Sequence, residues 1–72
     1  MKVDFKLLCD FDGEPDILVY PITLLDTYKS AKHLANHLEK IASEILKEHT
    51  VCYSVKCSVD YHGEKLSLMA YA

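Results

Sequence analysis

Arginine is missing from these 72 residues, and all eight cationic side chains are lysine. Arginine is the side chain that forks onto phosphates and base edges, and a nucleic-acid-binding face is usually strongly basic. The net charge here is −3. Lys2, Lys6, Lys56 and Lys65 are matched along the chain by Asp4, Asp10, Asp12 and Asp60. A nucleic-acid-binding sheet is therefore the disfavoured reading. Glycine is nearly absent too: Gly13 and Gly63 are the only two, so no glycine-rich loop can cradle a phosphate.

Cysteine is sparse and odd in number, with Cys9, Cys52 and Cys57 only. No CxxC or Cys/His metal spacing occurs, and the positions fall inside strand patterns, unlike those of a disulfide scaffold. Alternation turns Cys9 and Cys57 inward and Cys52 outward. The expectation is free thiols in a reducing cytoplasm, with no His beside Cys52 to activate it. No apolar run approaches the roughly 20 residues that span a bilayer. Met1 to Asp10 is already charged at Lys2, Asp4, Lys6 and Asp10, so neither a membrane span nor a secretion signal is expected.

What is present is enough to fold. Half the residues are hydrophobic and 26% are charged, which excludes disorder. The length allows one small domain over residues 1–72. Such a chain buries only about 60% of its unfolded surface, and self-association as a homodimer is the expected reinforcement.

The stretch Asp26 to His49 is the one long helical pattern. Tyr28, Ala31, Leu34, Ala35, Leu38, Ile41, Ala42, Ile45 and Leu46 recur at the spacing of one helical face. Thr23, with Asp26 three residues on, or Asp26 itself, supplies a start signal. Lys47 and His49 fit the last turn, where the helix dipole favours positive charge.

The rest reads as strands. Val3, Phe5, Leu7, Cys9 and Phe11 alternate with Lys2, Asp4, Lys6, Leu8, Asp10 and Asp12, then Asp12 to Asp16 supply turn formers, and Ile17 to Ile22 return as a short strand. Pro21 puts that return strand at an edge. Val51 to Tyr61 alternate cleanly, and His62-Gly63 fits a two-residue turn into Glu64–Ala72. That turn pairs Val59 with Leu66, Cys57 with Leu68, Val55 with Ala70 and Tyr53 with Ala72 on one face. On the other it pairs Asp60 with Lys65, Ser58 with Ser67, Lys56 with Met69 and Ser54 with Tyr71. The expected fold is α+β, ββαββ: a four-stranded antiparallel sheet in the order 2-1-3-4 with the helix across one face.

Candidate chemistry is thin. Leu7-Leu8-Cys9-Asp10-Phe11-Asp12-Gly13 resembles the first motif of haloacid-dehalogenase-type phosphatases, where an apolar strand ends in Asp-x-Asp-Gly-Thr. There one Asp is the nucleophile and the next the acid/base. Here Glu14 stands where the motif has Thr, and the chain has no room for that family's parallel sheet. A strand ending in a polar turn is the preferred reading, and no enzyme activity is expected.

Asp10, Asp12, Glu14 and Asp16 could gather around a hard cation, but the twelve-residue spacing of a calcium loop is missing. His33 and His37 sit four apart, as two zinc ligands would, without a third ligand in step. A small divalent-cation-binding protein is thus the alternative function; no cofactor is implied. The favoured function is a non-catalytic interaction or regulatory module, of the kind a bacterial or phage accessory protein would use. Its expected contacts are Tyr20, Lys56, Ser67, Met69 and Tyr71, on the sheet face away from the helix and on an uncharged, proline-free last strand.

Overall fold

The computed structural model describes residues 1–25 and 27–72. Five elements follow one another: β1 (Lys2–Phe11), β2 (Glu14–Thr23), α1 (Ala31–Glu48), β3 (Cys52–Tyr61) and β4 (Glu64–Tyr71). The four strands form one antiparallel sheet in the order β2-β1-β3-β4, with α1 packed on one face. This is the expected ββαββ arrangement. The two central strands supply most of the sheet's buried side chains, among them Phe5, Leu7 and Val55, which share one hydrophobic cluster with Leu34, Leu38 and Ala42 of α1.

Both hairpins close on the same four-residue device. Asp10-Phe11-Asp12-Gly13 and Asp60-Tyr61-His62-Gly63 each put two residues through positive φ, 54° and 85° in the first and 50° and 85° in the second. Positive φ at both central positions is what a two-residue hairpin turn with the right twist requires. In each, the Asp carboxylate accepts the glycine N–H, at 2.8 Å for Asp10 and 2.9 Å for Asp60. The first turn is thus Asp12-Gly13 alone, and not the longer Asp12–Asp16 loop. β2 consequently begins at Glu14 and runs for ten residues.

Register then follows by parity. Phe11 pairs with Glu14 across the first turn, which places Pro15 opposite Asp10 and Pro21 opposite Asp4. The pair closing a two-residue turn exchanges hydrogen bonds, so both prolines fall at alternate, non-bonded positions, where a backbone N–H would point off the sheet edge. The second hairpin shows the expected register from Ser54↔Tyr71 to Asp60↔Lys65.

Three features differ from expectation. The helix starts after Ser30, whose hydroxyl accepts the His33 N–H at 3.1 Å. Tyr28 therefore precedes the helix, and the expected start at Asp26 lies outside the described residues. At the other end His49 is the cap of α1, and Val51 is an exposed turn residue before β3.

The third difference is chemical. Between Leu8↔Ser54 and Cys9↔Cys52 the β1–β3 register shifts, leaving Tyr53 as an extra residue on β3. Such a bulge inverts the alternation beyond it. Tyr53 becomes 45% exposed and Cys52 turns inward at 3%, where it is joined to Cys9 in a disulfide. The expectation of three free thiols with Cys52 facing out is overturned. Cys57 alone is free, and buried.

Candidate functional site

The face of the sheet away from α1 is built from alternate residues of four strands. Reading the registers across gives one row of Val19, Lys6, Lys56 and Met69, and a second of Ile17, Leu8, Ser54 and Tyr71. Ser58 and Ser67 oppose each other one row further along. Lys56, Ser67, Met69 and Tyr71 thus share one face, with Met69 and Tyr71 exposed at 52% and 72%. The Tyr71 hydroxyl donates to Met69 Sδ.

Tyr20 does not belong to this group. It pairs with the buried Phe5, which puts it on the helix side, its ring centroid 5.7 Å from that of His49. Ile22, opposite Val3, lies on that side as well. Ile17 and Val19, both exposed, take their places on the open face. Apolar residues on both sides of β2 hid this phase. The repeated Asp-aromatic-x-Gly signature would have revealed it by fixing the first turn.

Lys6 and Lys56 are direct cross-strand partners at the centre of the open face. Like charges directly opposite one another destabilise a strand pair. Beside them the surface dips into a concavity of about 560 Å³, bordered by Asp4, Lys6, Lys56, Ser58, Ser67 and Met69. Its shape follows from side-chain length. The short Ser58–Ser67 pair lies between the longer Lys56–Met69 and Asp60–Lys65 pairs.

His33 and His37 are drawn into the approach to α1. Lys29 N–H donates to His33 Nδ1 at 3.2 Å, and His37 Nδ1 lies 2.6 Å from the Tyr28 hydroxyl. The Tyr61 hydroxyl, in turn, donates to the Tyr28 carbonyl at 2.8 Å. His33 Nδ1 is thus engaged by the backbone just ahead of the helix. Among the described residues no group of three His, Cys, Asp or Glu is placed to hold a metal ion.

The acidic turn disperses in the same way. Asp10 lies on the open face, committed to Gly13. Asp16 pairs with Cys9 on the helix side, and its carboxylate accepts the Ile17 N–H at 2.8 Å. Asp12 occupies the turn itself at positive φ. Tight turning thus spreads the carboxylates expected to converge over two faces. For the phosphatase-like run, the same geometry makes Asp10 the partner of Gly13 and puts Asp12 inside an antiparallel hairpin.

No helix among the described residues is long and apolar enough to cross a membrane. No family model, curated protein or solved structure matches the chain.

Proposed function

We propose that this chain is a non-catalytic interaction module that associates with a second copy of itself through the outer edge of β4. The observation that carries this reading is the asymmetry of the two sheet edges. β2 has prolines at two of its outward-facing backbone positions, Pro15 and Pro21. β4 has none, and by the parity of its turn the N–H and C=O groups of Lys65, Ser67, Met69 and Tyr71 point outward. An exposed edge of that kind is a template for another strand.

Two further features support it. Leu66, Leu68 and Ala70 on the helix side of β4 are only half-buried, so a neighbouring strand would shield them. Full antiparallel overlap about Leu68 sets Lys65 against Tyr71 of the partner subunit and Ser67 against Met69 of the partner subunit. No like charges then oppose one another. The expectation of a cytoplasmic setting rests on free thiols. With Cys9 and Cys52 joined, self-association is proposed for the oxidised chain whatever compartment holds it.

Light scattering over a wide concentration range tests the reading. A dimer is expected for the wild type, and a monomer of unchanged helix content for Met69→Lys/Tyr71→Lys. A wild-type chain that stays monomeric at millimolar concentration, or a double variant that dimerises as tightly, would sink it.

A further inference from the structure

We propose that the concavity on the open face is a binding site for a small organic phosphate monoester, its phosphate bridging the ammonium groups of Lys6 and Lys56. This does not rest on self-association, because Lys6 and Lys56 belong to the two central strands.

Electrostatics is the first ground. Lys6 and Lys56 stand directly opposite each other, and among the described residues neither is in an ion pair. A dianion between them converts a repulsion within the sheet into two charge-assisted contacts. The setting gives the pair selectivity: the chain as a whole carries −3, and the concavity beside the β1–β2 turn is bordered by Asp12, Glu14 and Asp16. The Lys6–Lys56 concavity instead has two lysines against the single carboxylate of Asp4.

Shape is the second ground. The Ser58 and Ser67 pair leaves a floor of short hydroxyl side chains, able to donate to phosphate oxygens. About 560 Å³ falls within the range of small-molecule pockets and exceeds what a bare phosphate fills. The remaining room lies against the Met69 side chain, a flexible apolar wall suited to an organic substituent. Asp4 on the rim can accept a hydrogen bond from a ligand hydroxyl while repelling a second phosphate. A polyanion is disfavoured for that reason, since Asp4, Asp10 and Asp60 share the face with the lysines.

The test is an amide NMR titration of the oxidised full chain at fixed ionic strength, with phenyl phosphate, inorganic phosphate and sulfate in turn. Saturable shifts are expected at Lys6, Lys56, Ser58 and Ser67, with phenyl phosphate at least tenfold tighter than inorganic phosphate. Lys6→Ala and Lys56→Ala should each weaken phenyl phosphate at least tenfold, and Lys40→Ala on α1 should not. Lys56→Gln serves as a second variant should an alanine variant lose its dispersed spectrum. Equal, weak shifts with all three anions would mean an adventitious ion only and would overturn the proposal. So would unchanged affinity in both lysine variants, or tighter binding of a thymidine oligonucleotide at the same residues.

Discussion

Cys9 and Cys52 are bonded across β1 and β3 at the point where Tyr53 is squeezed out of register. Bulge and bond depend on one another. With unbroken alternation Cys52 would face away from Cys9, and no disulfide could form. The bond closes a 43-residue separation that contains β2 and α1 entire.

Closing a loop of that size stabilises by about 4 kcal/mol in the chain-entropy account. Reduction, or Cys9→Ala/Cys52→Ala, should therefore cost roughly 2–5 kcal/mol, measured by urea denaturation with and without reductant. The oxidised native protein should show no thiol that reacts rapidly with Ellman's reagent. One fast-reacting thiol would place Cys57 outside the core, and three would remove the bond.

The helix is anchored by its apolar face. Leu38 is fully buried against the sheet, so Leu38→Asp leaves an unpaired carboxylate in the core and should abolish folding, seen as loss of the cooperative thermal transition. Ser30→Ala removes the cap on His33 and should cost about 1 kcal/mol. His33→Ala, exposed on the helix, should shift stability by a few tenths of a kcal/mol. Should His33→Ala prove costlier than Ser30→Ala, the Lys29–His33 contact and not the serine sets the helix start.

The twin turns make a matched pair of predictions. An added Cβ meets nothing within 4 Å at Gly13 or Gly63, yet both have φ of +85°. Alanine at either site is strained by backbone conformation alone, so each change should destabilise by about 1 kcal/mol, and the two should add. Strong non-additivity in thermal melts would show that the hairpins are coupled through the sheet.

Cys57 supplies a pH dependence. Burial pushes its thiol above the ordinary value by disfavouring the thiolate. The neutral thiol is the form that the fold favours. Its contribution is complete below the unfolded pKa of about 8.5 and is lost as pH rises through the folded value. Between pH 8 and 10 the wild type should lose more stability than Cys57→Ala, measured as the difference in denaturation midpoints. Parallel pH profiles would contradict the burial of this thiol.

How much of this could be read in advance varies from residue to residue. The second hairpin was legible because Asp60 and Lys65 are complementary and Ser58 meets Ser67, so a slip of one residue would mismatch every pair. That reading put Lys56, Ser67, Met69 and Tyr71 on a common face. The first hairpin offers no such phase: Ile17, Leu18, Val19 and Tyr20 are apolar in succession, so Tyr20, expected on the open face, lies on the helix side. At Tyr53 the sequence alternates without a break, while the bulge arises from pairing with β1, a partner some 40 residues away. Tyr28 fits the helical period by chance of spacing, although it precedes the cap at Ser30. Met1 holds Leu24 by two backbone hydrogen bonds, which extend the first hairpin beyond β2.

The two prolines of β2 would set a limit on how far the proposed assembly could proceed. A sheet with two open margins can add copies at either side without end and grow into a fibre. Here Pro15 and Pro21 deny a docking strand two donors on one margin, so β4 is left as the margin that can accept a neighbour. Once two copies join β4 to β4 about a two-fold axis, each outer boundary of the eight-stranded product is a β2 strand. On the proposed β4-to-β4 pairing the count would therefore close at two. Pro15→Thr/Pro21→Thr would restore both donors, turning a self-terminating pair into a polymer visible as rising turbidity.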